Sequence, residues 1–391
     1  MHGEYNGIEP SCCPQEPLNA AGERTKESSW LEVRLPFSDA NCGIKQSLVK
    51  FGGKSIRYGK LFEVIDSLAG DVGHRHCRGC KDITIVTASV DGMSALSDIN
   101  ADKDLVLQAF LTYVGKSSME IHVNLISDGT LVACTQFIMV ARHGVNGAAY
   151  VIPGLHLKNA ADKDEFARGQ IRAAERKVQA QHSLDLVPPR QDEVHLVHEL
   201  HLRTKKLKAE KRALLANKDK SKEDADLHKE TDKHKEERAR FKYMRSTSVH
   251  STEIMHQQNR NLHGKVFGGE IMRKAFEMAY ITAACHIGNA NTQFVAVDDI
   301  NFLRPVNVGA IMEFRGLVTY TAQSEVVVQV TVEEVDTDRS GERIRTNQLA
   351  YIFKTRDGQK APEVIPEDYG EFVLFLNGKR TYQEHIIERE M

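Results

Sequence analysis

Leu61, Ile65, Leu68 and Val72 recur at helical spacing through Arg57–Cys77, the first strong periodic signal in the chain. The period then shortens. Ile83–Val90, Leu105–Val114, Met119–Ile126 and Leu131–Ala141 read as strands, and Ser127-Asp128-Gly129-Thr130 between the last two is a hairpin signal. The same order returns downstream. A helix is predicted from Phe267 to about His286, followed by strands at Phe294–Phe302, Ile311–Thr321, Glu325–Val335 and Arg343–Lys354, with Asp338-Arg339-Ser340-Gly341 turning the last pair.

The repetition extends to the letters. Thr112-Tyr113-Val114-Gly115-Lys116-Ser117 lines up with Thr319-Tyr320-Thr321-Ala322-Gln323-Ser324, and Gly59 with Gly269, each near a helix start. Two copies at a period of about 208 residues indicate a duplicated domain rather than a solenoid, whose repeats are far shorter. A long helix followed by antiparallel strands, twice, is an α+β pattern in which each helix lies in the concave face of a curled sheet. The expected units are residues 31–155 and 251–365. A polar segment (1–30) precedes them and is expected to be a disordered tail; a helical and charged linker (156–250) separates them; residues 366–391 form a C-terminal extension. Within the linker, Asp162–Gln181 is helix-like, Pro188-Pro189 breaks it, and Thr204–Lys242 mixes Lys, Arg, Glu and Asp, suggesting an exposed salt-bridged helix or a disordered insertion.

Composition narrows the function classes. Of 391 residues 41% are hydrophobic and 27% charged, ordinary for a globular protein, and the formal net charge of −2 argues for neither nucleic acid nor an anionic membrane surface as a partner; no nucleic-acid partner is expected. No stretch approaches the roughly 18 apolar residues of a membrane span. Seven scattered cysteines make no disulfide framework and suit a reducing, intracellular setting. Glu4, Glu9, Glu16, Glu23 and Glu27 are out of character for a mitochondrial presequence.

The chemistry concentrates in Asn259-Arg260-Asn261-Leu262-His263-Gly264-Lys265-Val266-Phe267-Gly268-Gly269-Glu270-Ile271-Met272. Paired glycines before an apolar helix allow close backbone approach and leave N–H groups at the positive end of the helix dipole, where an oxyanion is stabilised. Tight packing alone would explain the glycines equally well. The segment, however, resembles the Asn-x-x-Gly-x-x-x-Gly-Gly turn of hot-dog acyl-coenzyme A thioesterases. Val297-Asp298-Asp299-Ile300-Asn301-Phe302-Leu303-Arg304-Pro305-Val306-Asn307-Val308-Gly309 is similar to that family's strand and Phe-x-x-Pro-x-x-x-Gly turn, and Arg57–Gly70 to its helix with an acidic residue. The resemblance covers roughly Leu31–Lys354 apart from the charged part of the linker, and is nearest the double hot-dog branch that includes mitochondrial enzymes. It implies two tandem hot-dog domains, an acyl-CoA substrate, no metal or organic cofactor, and a mitochondrial location, with the cytoplasm as alternative because no presequence is recognisable.

Asp66, seven residues after Gly59, falls on an otherwise apolar helix face, where an unpaired carboxylate is costly and so points to function. An exposed Asp on the polar side is the plainer alternative. The position seven after Gly269 is Phe276; the position eight before Gly269 is Asn261, and eight before Gly59 is Phe51. Each unit therefore keeps half a site, and the resemblance implies that Asp66 faces Asn261. On that footing Asp66 is the general base or the nucleophile, Asn261 orients water or thioester, and the Gly268 N–H receives the developing oxyanion. Gly269, His263, Ser117 and Arg304 are candidates for holding the substrate; solvated surface is the plainer reading of Arg304 and of Lys265.

Other motifs carry less. Gly53-Lys54-Ser55 has Leu48 where a phosphate loop needs Gly, and His74-x-His76-Cys77-x-x-Cys80 lacks the second Cys pair of a structural zinc site. A hot-dog hydratase or dehydratase usually sets a His beside the acid, whereas here the nearest are His74 and His76; a catalytically silent acyl-CoA-binding protein is the other rival. In Val326–Val332 and Met119–Leu125 the sheet face away from the helix is only partly polar, so a homotrimer is expected to cover it unless the linker folds back.

Overall fold

The computed structural model of the chain describes residues 10–14, 17–39, 43–50, 55–94, 99–144, 147–181, 187–218, 240–261, 263–288, 292–337 and 341–390. Its first part runs β1 (Ser11–Cys12), β2 (Glu23–Thr25), α1 (Lys26–Ser29), β3 (Leu31–Leu35), α2 (Ile44–Leu48), α3 (Tyr58–His76), β4 (Ile83–Val90) and β5 (Met93–Ser94). There follow β6 (Leu105–Val114), β7 (Ser118–Ser127), β8 (Thr130–His143), β9 (Gly154–His156), α4 (Ala160–Gln181) and α5 (Gln191–Lys218). The second part runs β10 (Phe241–Tyr243), β11 (Val249–Ile254), α6 (Gly268–Ile287), β12 (Thr292–Val297), β13 (Ile300–Phe302) and β14 (Ile311–Ala322). It closes with β15 (Glu325–Asp336), β16 (Glu342–Thr355), β17 (Glu363–Ile365) and α7 (Tyr369–Glu390).

The long helices form where the apolar stripe predicted them. On α3, Leu61, Phe62, Ile65, Leu68, Ala69 and Val72 are buried against β4, β6, β7 and β8, each large side chain contributing roughly 1.5–3 kcal/mol of burial. Helix α6 does the same on β14, β15 and β16. This is the tandem hot-dog arrangement. The two sheets continue into one another: the edge strand β4 pairs antiparallel with β13, and β5 with β12, giving one 13-stranded sheet among the described residues. At the β7–β8 connection Asp128 and Gly129 have φ of 52° and 73°, the paired left-handed geometry of a two-residue hairpin.

The duplication is physical as well as textual. Strand pairing slips by one residue after Leu111 in β6 and after Val318 in β14, and at the two bulges buried Thr112 and Thr319 donate their hydroxyls to the carbonyls of Glu120 and Val327. At the helix ends His76 and His286 each place Nε2 2.8 Å from a proline carbonyl, Pro153 and Pro362. Those contacts leave His76 in a structural role, and among the described residues no group of His, Cys, Asp and Glu is arranged to hold a metal.

Several expectations are revised. The segment from Pro10 to Trp30 is not a disordered tail where it is described: β1 pairs with β3, and β2 lies parallel to β9. The Ser28 and Ser29 hydroxyls donate locally to the carbonyls of Thr25 and Lys26, and Arg24 reaches across to the Arg78 carbonyl. Pairing with a partner as remote as β9 leaves no local periodicity to read. The strand expected over Phe294–Phe302 is two strands, because Asp298 and Asp299 interrupt it: Asp299 accepts the Gly92 N–H at 2.8 Å and Asp298 accepts the Thr381 hydroxyl at 2.6 Å.

The domain borders drawn from sequence also stop short. Strands β2 and β9 have counterparts in β10 and β17, each pair parallel, and α4 has its counterpart in α7. Both helices use Phe-x-x-Gly: Phe166 packs on Tyr113 at 4.9 Å between ring centroids and Phe375 on Tyr320 at 5.2 Å. Gly169 and Gly378 then sit against the same tyrosines. Helix α4 is further tied down by Arg172 and Arg176, which both bond to Glu120, itself 1% exposed. So α4 lies on β6 and α7 on β14, β15 and β16, and helices of the same chain cover part of the outer sheet faces that motivated a homotrimer. The charged segment is helical through Lys218 in α5, while residues 219–239 lie outside the described residues. Helix α5 crosses to the second unit through Glu193 with Arg380 (2.7 Å twice) and Thr204 with the Pro366 carbonyl (3.0 Å).

Candidate active site

Helices α3 and α6 cross at their glycine-bearing ends in a pseudo-twofold manner. A methyl group at Gly59 would lie 3.1 Å from the Arg273 carbonyl oxygen, and one at Gly269 only 2.8 Å from Glu63 Cα. Only a residue without Cβ admits this approach. An ion-pair cluster clamps the crossing, with Arg273 bridging Glu63 of α3 and Glu270 of α6 at 2.8 and 2.5 Å.

The crossing brings the middle of α3 onto the start of α6. Asp66 is 1% exposed there. Its Oδ2 accepts the Gly269 N–H at 2.7 Å and its Oδ1 accepts the Thr87 hydroxyl at 2.8 Å. Burial pushes the Asp66 carboxyl up from 3.8 to about 6, while the hydrogen bonds from Thr87 and Gly269 hold it down against that rise. The group is thus ionised at neutral pH, beside the positive end of a helix dipole. A Cβ at Gly268 would stand 3.0 Å from Asp66 Oδ2 and 3.4 Å from the Phe302 ring, so the first turn of α6 is kept bare. Among the described residues the Gly268 N–H has no hydrogen-bond partner and remains available as a donor.

The pseudo-equivalent position is filled differently. Phe276 replaces Asp66, and aligning the strand bulges after Thr87 and Phe294 equates those two residues; their cross-strand partners are Met139 and Phe353. Phe276, Phe294 and Phe353 pack with centroids 5.4 to 6.1 Å apart, and Tyr58, at the start of α3 where α6 has Gly268, lies 6.0 Å from Phe276. A polar pair beside an open helix start on one side is an aromatic cluster on the other. Phe51 lies outside the described residues.

The remaining candidates fall in different places. Asn261 is half-buried in the loop before α6, and its Oδ1 accepts the N–H groups of His263 (2.9 Å) and Lys265 (3.1 Å). Its amide oxygen therefore shapes the loop, and among the described residues the side chain makes no hydrogen bond to Asp66. His263 comes to α3 and β4 of the other unit, 6.0 Å from the His74 ring and with Nδ1 3.4 Å from the Thr84 hydroxyl. Its Nε2 is buried with no partner among the described residues, and burial lowers its basicity. Lys265 bonds the Asn307 side chain at 2.6 Å. Arg304 is exposed, and Ser117 sits in the β6–β7 turn with its carbonyl on the Ala141 N–H at 2.7 Å; neither hydrogen-bonds to the other candidates. Thr87 escaped the sequence reading. Its signal, a threonine where the second copy has Phe294, emerges only once the two bulges are aligned.

Comparison with known proteins gives this geometry a family. The family model described as "Thioesterase superfamily" matches twice, over residues 54–134 and 263–340. Both regions carry the thioesterase-superfamily domain. The chain is 29% identical to the bovine (Bos taurus) mitochondrial acyl-coenzyme A thioesterase 9, with 92% of this chain and 78% of that protein covered. It is 30% identical to acyl-coenzyme A thioesterase 4, mitochondrial, of Humulus lupulus, over 80% of this chain and 58% of that protein. A cytosolic acyl coenzyme A thioester hydrolase of Homo sapiens matches at 21% identity over 86% of this chain and 80% of its own length. As in those matches, the likeness runs through both thioesterase regions and the connection between them.

Proposed function

We propose that the chain hydrolyses acyl-coenzyme A to a free acid and coenzyme A at one site per chain, between the two domains. The observation that carries this reading is the asymmetric crossing: Asp66 with Thr87 against the open start of α6 on one side, Phe276 with Phe294 and Phe353 on the other. The ionised Asp66 takes a proton from the attacking water, or itself attacks the thioester carbonyl; either route needs the carboxylate. The Gly268 N–H, aligned with the α6 dipole, receives the carbonyl oxygen as it gains charge, an interaction typically worth about 10²-fold or more in rate. Asn261 offers its amide nitrogen to the water or the thioester, and His263, in the same loop, is a candidate for holding the substrate. Neither a metal nor an organic cofactor enters this scheme. The mitochondrial relatives support a mitochondrial setting for the reaction.

Free thiol released from a panel of acyl-CoAs of graded chain length tests the proposal. The expected result is thiol and free acid in equal amounts, with the best substrate identifying the chain-length class. A hydratase would leave the thioester intact and add water to an enoyl chain; a silent binding protein would release no thiol above background. Either outcome removes the assignment.

A further inference from the structure

Two polar cavities lined by the described residues differ in how their charges are balanced. One, of about 610 Å³, is lined by Lys60, Arg273 and Lys274 together with Glu63, Glu253 and Glu270. These pair among themselves, Arg273 with Glu63 and Glu270, Lys274 with Glu253 and Glu270, Lys60 with Glu63. No charge is left over for a ligand.

The other, of about 510 Å³, lies on the Phe276 side of the crossing, where the catalytic groups are replaced. Its floor is aromatic, formed by Tyr58, Phe276 and Phe294, buried to 9% exposure or less. Its rim carries Lys50 and Arg356. The Lys50 ammonium sits 4.0 Å over the Tyr280 ring, and Arg356 Nη2 donates to the Ser55 hydroxyl at 3.3 Å. Neither cation has a carboxylate partner among the described residues. Among the described lining residues the one acid, Asp102, is 76% exposed at its side chain and pairs with Lys45 at 3.5 Å. Burial first, and then the neighbouring Arg356 charge, hold the Lys50 ammonium below its ordinary range.

We infer that this cavity is a second, non-catalytic ligand site, which takes a nucleoside phosphate: the phosphate between Lys50 and Arg356, the base on the Tyr58–Phe276–Phe294 floor. A phosphate supplies the missing negative charge to both cations, and Arg356 offers it planar, multiple donors. A flat ring is the body that aromatic faces accept best, and the polar side chains Ser55, Asn100 and Gln293 among the lining residues favour a base with ring nitrogens over a bare alkyl chain. The volume lies within the range of small-molecule sites. Two sources share this chemistry, a free nucleotide and the nucleotide half of coenzyme A. The inference stands apart from the catalytic proposal, since nothing in it requires Asp66.

Calorimetric titration of the full-length protein with adenosine monophosphate, inorganic phosphate and coenzyme A tests it. The expected result is one nucleotide bound per chain, with phosphate alone at least tenfold weaker. Arg356→Glu, at an exposed position where folding is not at stake, should weaken nucleotide binding tenfold or more, and Asp66→Asn should leave it unchanged. Two molecules of coenzyme A per chain, one of them lost with Arg356→Glu, would make the coenzyme the source; one coenzyme A beside one adenosine monophosphate would make it a free nucleotide. No nucleotide heat together with one coenzyme A per chain overturns the inference, and so does nucleotide binding indifferent to Arg356→Glu.

Discussion

Asp66→Asn is expected to lower kcat for acyl-CoA hydrolysis by roughly three orders of magnitude, as loss of a base or nucleophile does, with KM little changed. The substitution should not disturb the fold. The amide oxygen can keep the Gly269 N–H that Oδ2 accepts now, and the Thr87 hydroxyl can rotate from donor to acceptor for the new Nδ2. Stability should rise. In the unfolded chain an aspartate titrates near 3.9, whereas burial raises the native Asp66 to about 6. Between those values the native state holds the extra proton, so stability falls as pH rises through the window, and above pH 6 the folded protein carries the full cost. That cost is on the order of 3 kcal/mol at most, and the neutral amide removes it. The variant should therefore melt higher than the parent at pH 7.5 and by a smaller margin at pH 4.5. A kcat near the parental value would sink the assignment of Asp66, whatever the melting curves show.

Gly269→Ala is the second large effect. Its Cβ would stand 2.8 Å from Glu63 Cα and 2.6 Å from the Phe267 ring, and a helix backbone cannot swing aside as a side chain can. Helix α3 would have to retreat from α6, costing about 1–3 kcal/mol of overpacking. Because Asp66 and the first turn of α6 sit on opposite sides of that contact, the retreat also separates base from oxyanion donor. A displacement of this kind is expected to cost about 10²-fold in kcat/KM. Gly70→Ala is the control: it lies on the same helix α3 with nothing within 4 Å of the new methyl, so activity should hold and stability rise by up to about 1 kcal/mol from helix propensity. Equal activities for the two variants would show that the crossing does not set the site.

Much of this site was legible in the letters because its logic is one of replacement. Asp66 against Phe276, seven residues after Gly59 and Gly269, can be read without coordinates, and the apolar periods place α3 and α6 within a residue or two of their ends. The ladder strands were equally clear, since alternation over ten or more residues is a local signal. Contacts set by distant partners were not. Strand β2 exists because β9 lies beside it, and no pattern within Glu23–Thr25 announces that. The helices α4 and α7 were taken for linker and extension although Phe166-x-x-Gly169 and Phe375-x-x-Gly378 repeat; two residues are too weak a motif until their packing on Tyr113 and Tyr320 is seen. Thr87 was hidden by a bulge, which shifts the register in which the two copies must be compared. For Asn261 the residue type was informative but the direction was not: its oxygen turns inward to the loop N–H groups, a choice fixed by side-chain rotation rather than by spacing.

The central claim is that a buried carboxylate, titrating higher than an ordinary aspartate, acts in its ionised form. The pH dependence of kcat/KM for thiol release tests it most directly. With Asp66 at about 6, activity should be level above neutrality, bend near pH 6 and fall tenfold per unit below it. A profile that stays flat down to pH 5, bending only near the value of a solvated aspartate, would contradict the claim that Asp66 in its buried setting carries the reaction.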